Sequence, residues 1–191
     1  MSTSASVSTT TRKARCLLLA GIVAATAALS LTQVAQAAPP PPTVPHEIVV
    51  PDGNKVFLVG HAVGVQIYSC NGVVWSSATP RANLYDNKGK LIITHFAGPT
   101  WQAMDGSRVV GRLDAPPVTV DSTAIPWLRL AAASTAAGPD GDRLVRTTYI
   151  QRIVTTGGLA PPAAECNAAT AGTVAEVPYT ADYYFWKRTG A

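Results

Sequence analysis

The sequence predicts an all-β, single-domain protein: an antiparallel barrel or sandwich of about eight short strands. Apolar and β-branched runs follow one another at short spacing, and turns rich in Gly, Asn, Asp and Pro separate them. The sequence contains no long segment with the 3.6-residue apolar period of a helix, and hence no βαβ unit. These patterns leave the choice between a barrel and a sandwich open.

The first predicted strands are the runs KVFLVG and VGVQIYSC. KVFLVG follows a Pro-Asp-Gly turn, and a bend is expected between the two runs. VGVQIYSC alternates, so that Gln66, Tyr68 and Cys70 share one face. Asn71-Gly72 predicts a type I′ hairpin turn, with VVWSSA as the returning strand.

The remaining predicted strands form further hairpins. RANLYD and KLIITHFA flank the turn at Asp86 to Gly89, and WQAM and SRVVGRL flank Asp105-Gly106. WLRLAAAS and RLVRTTYIQRIV flank a GPDGD loop, and the chain ends on TVAEVPYTADYYFWK. A helix over 131–137 is the alternative within WLRLAAAS, but it is too short to be stable on its own.

The first 37 residues have the three parts of a secretory signal peptide. Residues 12–15 carry three basic side chains, residues 16–31 form an uncharged run of sixteen, and an A-x-A site ends at Ala37. The uncharged run is shorter than the about 18–20 residues that a membrane-spanning helix needs. The pattern therefore predicts cleavage after Ala37, an extracellular protein and no stable membrane anchor.

The rest of the chain is predicted to hold a proline-rich arm over residues 38–48 and one β domain over 49–189. Cleavage after Ala37 shortens the chain from 191 to 154 residues, which suits one domain. It also removes three basic residues from a formal net charge of +4, leaving about +1. The positive charge therefore lies mainly in the signal peptide, and it predicts no nucleic-acid partner.

The two cysteines of the predicted mature chain, Cys70 and Cys166, are expected to form a disulfide. An even number of cysteines in an oxidising compartment favours such a bond. Two free thiols or half of a metal site are the alternatives. The sequence has no C-x-x-C or H-x-x-x-H pattern, and its histidines are His46, His61 and His95. We therefore expect no metal site and no cofactor.

Several ordered motifs extend along nearly the whole predicted mature chain: FLVGHAVGVQIYSCNG, PRANLYDNKGK, THFAGPTWQAMDGSRVVG, AIPWLRL, GPDGDRL, YIQRIVTTGG and EVPYTADYYFWK. Together they resemble domain-of-unknown-function family 3455, a family of secreted bacterial and fungal proteins. The likeness runs from about Val49 to Lys187. The family's activity is not established, so the resemblance carries over no catalytic or binding residues.

Some members of that family bear a malate dehydrogenase label, which this sequence contradicts. A dinucleotide site needs a G-x-G-x-x-G turn between a strand and a helix. The nearest glycine cluster, from Gly60 to Gly64, has a different spacing and leads into another predicted strand. We therefore expect no dehydrogenase activity.

Other catalytic signatures are also missing from the sequence. It contains no G-x-S-x-G, H-E-x-x-H or G-x-x-x-x-G-K-[ST] motif. A Ser-His-Asp site remains conceivable from Ser107, His95 and either Asp105 or Asp86, because triads are defined by geometry. Ser107 directly follows Asp-Gly, however, where serine is an ordinary turn residue. The sequence therefore leaves the existence of an enzyme activity open and favours its absence.

The candidate ligand-binding residues are His95, Trp101, His61 and Tyr68. His95 alternates onto the face of Ile93, toward the predicted interior, and Trp101 returns beside it after a Gly-Pro turn. An indole beside an imidazole is typical of a small-molecule pocket. His61 lies at the predicted bend, where it would share the same cavity. The structural alternative for His95 is a core histidine bonded to a carbonyl, with Trp101 capping the barrel.

The first functional hypothesis is a secreted binding module for an apolar or carbohydrate-like small molecule, such as a cell-surface glycan. The second is a hydrolase or isomerase that uses His95 as a general base. The third is a structural or surface-associated protein without a ligand. A monomer is expected in each case.

Overall fold

The computed structural model describes Met1, Ser2 and residues 38–190. Residues 38–190 hold the β domain. The predicted signal peptide, residues 1–37, lies outside the described residues apart from its first two. In the part of the chain that is described, no helix is long and apolar enough to cross a membrane.

Eight antiparallel strands of the described region close into a barrel. Each strand pairs with the next one along the chain, and the last strand pairs back with the first. The all-β antiparallel prediction is confirmed, and the barrel is the architecture that forms. The strands are β1 (Asn54–Ser69), β2 (Thr79–Tyr85), β3 (Leu91–Phe96), β4 (Thr100–Ala103), β5 (Arg108–Leu113), β6 (Leu128–Ala136), β7 (Tyr149–Gly157) and β8 (Val174–Arg188).

The strand β1 is a single sixteen-residue strand, where the sequence predicted two strands separated by a bend. The glycines of this strand serve close packing instead of a bend. A Cβ atom on Gly64 would lie 2.5 Å from the Cβ of Ala82 on β2, and one on Gly60 would lie 3.0 Å from Leu84. The strands β1 and β2 can therefore approach only because these positions lack side chains.

The predicted hairpin at Asn71-Gly72 is wrong. Only Gly72 has a positive φ, whereas a type I′ turn needs positive φ at both central residues. The Asn71 side chain instead accepts hydrogen bonds from the N–H groups of Val73 and Val74, at 2.9 Å each. VVWSSA is therefore a loop between β1 and β2, held to β1 by an isolated bridge between Cys70 and Trp75.

The other predicted hairpin turns are confirmed. Asp86 to Gly89 joins β2 to β3, and Asp105-Gly106 joins β4 to β5. The GPDGD loop lies between β6 and β7, although RLVR forms turns before β7 begins. Residues 131–136 belong to β6, so the alternative short helix does not form there.

The proline-rich arm ends in a 3-10 turn, His46–Ile48, that is part of the packing of the domain. The Ile48 side chain is buried in a cluster with Ala115 and Ile153. The backbone carbonyl of Ile48 accepts a 2.7 Å hydrogen bond from the Gln151 side chain of β7. By strand alternation Gln151 and Ile153 point out of the barrel, so the arm covers the outer face of β7.

The barrel interior is filled by a continuous apolar cluster. It includes the fully buried side chains of Leu84, Ile93, Val109, Ile150 and Phe185. These residues come from five different strands, so the strands stabilise one another through a shared core.

Candidate functional site

A cavity of about 290 Å³ lies at the end of the barrel where β1, β3 and β5 end. All eight strands contribute residues to its wall. Most of the lining is apolar, from alanine, leucine and proline side chains. The polar and aromatic residues of the lining are Gln66, Thr79, His95, Trp101, Arg152 and Tyr183.

His95 and Trp101 form one wall of this cavity, as the sequence predicted for a shared site. They are directly paired across β3 and β4. Their rings are stacked, with centroids 4.2 Å apart and planes 4° apart. The edges of Tyr183 and Phe185 also pack against the indole. His95 is 3% exposed and Trp101 is 1% exposed, so the stack is held inside the barrel.

The imidazole of His95 is neutral at physiological pH. Its Nδ1 lies 2.9 Å from the backbone carbonyl of Thr100, which can only accept, so Nδ1 carries the proton. Burial lowers the pKa of His95 to about 4, while the hydrogen bond to Thr100 opposes that shift. The Nε2 atom is therefore an unprotonated acceptor, and the hydrogen bond of the ring within the described part of the chain is made by Nδ1.

Two cavity residues carry polar atoms without a protein partner. Neither Trp101 Nε1 nor Gln66 Nε2 makes a hydrogen bond to any described residue, although both atoms are covered by protein. Buried donors are nearly always paired, because an unpaired one loses its bonds to water without compensation. Since rotation of the Gln66 amide exchanges its oxygen and nitrogen, this side chain can offer either a donor or an acceptor.

Arg152 supplies the positive charge of the cavity. It lies two residues from Ile150 on β7 and is paired with Tyr183 on β8, which places its side chain on the inner face. Its Nε and Nη2 atoms both donate to the carbonyl of Pro126, at 3.2 and 2.8 Å. No acidic side chain lines this cavity among the residues that the structure describes.

Tyr68, a predicted ligand-binding residue, lies inside the barrel but away from the cavity wall. Its hydroxyl donates a 2.6 Å hydrogen bond to the carbonyl of Gly158. This bond ties the end of β1 to the segment that follows β7. Tyr68 is therefore not among the residues that line this cavity.

The expectation that His61 shares the cavity with His95 is wrong, because His61 points out of the barrel. Its Nδ1 lies 2.7 Å from Asp182 Oδ1 on β8, and its Nε2 lies 2.6 Å from Asn87 Oδ1. The hydrogen bonds to Asn87 and Asp182 raise the pKa of His61. This histidine links β1 to β8 and to the turn between β2 and β3.

Ser107 and Asp105 form a turn rather than part of a triad with His95. The Ser107 hydroxyl donates to Asp105 Oδ1 at 2.6 Å and accepts from the N–H of Leu144. The serine is fully buried in this arrangement. The only side-chain hydrogen bond of His95 to a described residue is the one to Thr100.

The predicted disulfide between Cys70 and Cys166 is confirmed, with Cα atoms 5.3 Å apart. It joins the loop after β1 to the segment between β7 and β8, at the same end of the barrel as the cavity. In the part of the chain that the structure describes, no group of three or more His, Cys, Asp or Glu side chains could hold a metal ion.

Arg152 and Gln66 are cavity residues that were not proposed from the sequence. Gln66 lies on the same inner face of β1 as Tyr68, and the alternation in the sequence already indicated this shared face. Arg152 lies in YIQRIV, where apolar residues occupy both parities, so alternation alone could not assign its face. A glutamine and an arginine within strands of an otherwise apolar barrel were the available signals.

The fold and the cavity together define a closed antiparallel β-barrel with a mainly apolar cavity at one end. The chain belongs to the family described as Protein of unknown function (DUF3455), whose model matches residues 51–187. Comparisons with the curated proteins and with the solved structures found no match. The family confirms the resemblance seen in the sequence motifs.

Proposed function

We propose that the protein binds a small, mainly apolar molecule in the barrel cavity. The observation that carries this proposal is the His95–Trp101 stack, which forms the wall of a cavity inside an otherwise filled barrel. Residues that serve packing alone are closed off from cavities, and their polar atoms are paired. Here the stack borders open space, and Trp101 Nε1 has no partner among the described residues.

The size of the cavity limits the size of the ligand. An apolar protein cavity of about 150 Å³ is large enough to bind benzene. The cavity at the barrel end is about 290 Å³, nearly twice that volume. The expected ligand therefore has a body of about two fused rings, which agrees with the capacity of eight-stranded barrels for one small ligand.

The arrangement of Trp101 favours an apolar ligand over a carbohydrate-like one. Sugars are commonly held by stacking on a free aromatic face. One face of the Trp101 indole is covered by His95, and its neighbours Tyr183 and Phe185 pack with it edge to face. Three leucine and two proline side chains lie in the remaining wall.

The chemistry of His95 favours binding over general-base catalysis. An efficient general base has a pKa near the working pH, whereas burial lowers the pKa of His95 to about 4. Its Nδ1 is oriented by a backbone carbonyl, where a catalytic histidine is commonly oriented by a carboxylate.

We further propose that the protein acts outside the cell. The disulfide supports this proposal, because such bonds persist in oxidising compartments. The signal-peptide pattern over residues 1–37 supports it from the sequence. N-terminal sequencing of extracellular protein should find Ala38 at or next to the start, and a start at Met1 would contradict the proposal.

The binding proposal is tested first by native mass spectrometry of protein purified from the medium of its own culture. A retained small molecule should be released on denaturation. Calorimetric titration with a neutral probe of the expected size, 2-naphthamide, then measures binding directly.

A matched pair of variants assigns the binding to the cavity. Leu128→Trp places an indole on the inner face of β6, within the cavity wall, and should abolish probe binding. Leu159→Trp adds the same group at an exposed position outside the cavity and should leave binding unchanged. Equal binding by both variants, or no binding of either ligand or probe by the unmodified protein, would contradict the proposal.

A further inference from the structure

We infer that the ligand of this cavity is a small organic monocarboxylate, with its carboxylate at Arg152 and its apolar body among the leucines. This inference rests on the proposed binding function and adds a charge to the expected ligand. It follows from three features of the cavity wall: its charge, the free donors of Arg152 and the apolar surface opposite them.

The charge of the wall is unbalanced. Arg152 is the cationic side chain of the lining, and no acidic side chain lines the cavity among the described residues. The ion pairs of the described chain involve His46, His61, Arg81 and Arg129, and none includes Arg152. A charge turned into an apolar interior is costly unless a partner neutralises it. An anionic ligand would be such a partner.

The influence of this charge extends over the inner wall. Burial raises the pKa of Tyr68, Tyr179 and Tyr183, and the positive charge of Arg152 opposes this shift in all three. It acts with burial to lower the pKa of His95. An anion bound beside Arg152 would therefore lie in the positive field that these four inward-facing groups share.

The guanidinium of Arg152 is held in place and still has donors to offer. A guanidinium has five N–H donors. Two nitrogens direct one donor each to the Pro126 carbonyl, and a third N–H group serves a hydrogen bond to the Tyr183 hydroxyl, which leaves two N–H groups. A carboxylate can accept two parallel hydrogen bonds from such a fork. Gln66 also lines this wall, although protein covers its unpaired amide nitrogen, so the two bonds to the carboxylate are assigned to Arg152 alone.

A singly charged ligand fits this wall better than a doubly charged one. A phosphate monoester is close to a dianion at neutral pH, and one arginine would leave a net negative charge in an apolar cavity. Leu113, Leu128 and Leu130 line the same cavity and can cover an apolar body. These features together favour a monocarboxylate with a body of about two rings.

The test compares two probes of nearly the same shape, 2-naphthoate and neutral 2-naphthamide, by calorimetric titration at pH 7. The unmodified protein should bind the carboxylate on the order of tenfold to hundredfold more tightly, as expected for hydrogen bonds to a charged group. Arg152→Gln should remove that preference while still binding 2-naphthamide. Arg152→Lys should retain part of it, because the charge remains but the fork does not.

Arg81→Gln is the matched control, because Arg81 lies on the barrel surface in an ion pair with Glu176. It should leave the preference for the carboxylate unchanged. Circular dichroism checks that each variant is folded. If Arg152→Gln does not fold, two results still test the inference. They are the ratio of the affinities for 2-naphthoate and 2-naphthamide in the unmodified protein, and the same ratio in Arg152→Lys.

The outcomes separate this inference from the proposed function. Equal affinity for the two probes in the unmodified protein would overturn the carboxylate inference and leave the binding proposal standing. Binding of neither probe would overturn both. A preference for the carboxylate that survives in Arg152→Gln would overturn the assignment to Arg152.

Discussion

The imidazole of His95 lies parallel to the indole of Trp101, and a carbonyl of the same hairpin fixes its tautomer. The two residues are directly paired on β3 and β4, where facing side chains are about 4.5–5.5 Å apart at Cβ. One short hairpin therefore builds both the stack and the hydrogen bond that orients it. The part of the cavity wall that His95 and Trp101 form is therefore encoded locally, whereas Gln66, Arg152 and Tyr183 reach the cavity from distant strands.

Replacement of Trp101 by Ala should reduce both stability and ligand affinity. The side chain is 1% exposed, and loss of a buried tryptophan costs about 3–5 kcal/mol of the free energy of unfolding. Trp75→Ala is the control, because Trp75 is half-buried in a loop outside the cavity. Urea unfolding and titration with 2-naphthamide measure the two effects. A large loss of stability with unchanged affinity would show that the hairpin is only scaffolding.

The lowered pKa of His95 should make the free energy of unfolding decrease below pH 6.5. Its pKa is lowered from 6.5 to about 4 in the folded protein, so the unfolded chain binds a proton that the folded one does not. The contribution of His95 to stability should therefore be complete above pH 6.5 and fall as the pH drops toward 4. The slope should reach about 1.4 kcal/mol per pH unit. Unfolding between pH 5 and 6.5 tests this, and His95→Phe should flatten the curve.

The raised pKa of His61 should make the stability of the protein decrease as the pH rises above 6.5. Hydrogen bonds to Asn87 and Asp182 raise its pKa, so its stabilising contribution is complete below pH 6.5 and is lost as the pH rises through the raised value. Melting temperatures between pH 6 and 9 should fall in the unmodified protein. His61→Gln and Asp182→Asn should both weaken that fall. Glu176→Gln, on the same strand but in another ion pair, should leave it intact.

Removal of the disulfide should destabilise the domain strongly. The bond joins residues 96 apart in sequence, and the chain-entropy model gives about 4–5 kcal/mol for a loop of that length. The double variant Cys70→Ser/Cys166→Ser should show this loss in denaturant unfolding, and reductant should produce it in the unmodified protein. A change below about 1 kcal/mol would mean that the unfolded chain is already compact there.

Val154→Asn should stabilise the protein. Val154 has a φ of 48°, a left-handed conformation that is strained for a β-branched residue, and its side chain is 54% exposed. Asparagine tolerates this conformation, so a gain of about 0.5–1 kcal/mol is expected. Val63→Asn is the control, at an exposed strand position without a positive φ, and it should lose stability. A loss in both variants would contradict the prediction.

Much of the fold could be predicted from local sequence chemistry. Turns such as Asp86 to Gly89 are encoded within a few residues, so the hairpins that they join were identified correctly. Asn71-Gly72 carries the same local signal, yet its neighbour Cys70 is bonded to a residue 96 positions away. At that point a long-range bond and the Asn71 side-chain cap replace the hairpin.

The residues of the cavity wall also differ in how far local sequence could predict their positions. The position of Trp101 beside His95 could be predicted because a single hairpin brings the two residues together. Arg152 and Gln66 reach the cavity from β7 and β1, which meet it only when the barrel closes. His61 was assigned to the wrong side because a bend was expected in β1. In one continuous strand, alternation from Gln66 places it outside.

The pairing of β1 with β8 also determines when this domain can become stable. The two strands form the longest ladder of the barrel, from Asn54 with Arg188 to Ser69 with Val174. Until the last fifteen residues of that ladder are available, β1 and β7 each present an open edge that can recruit other chains. The high sequence separation of these contacts makes folding slow, because loop closure must precede the stabilising contacts. A chain truncated before Val174 should accordingly aggregate rather than form a smaller barrel.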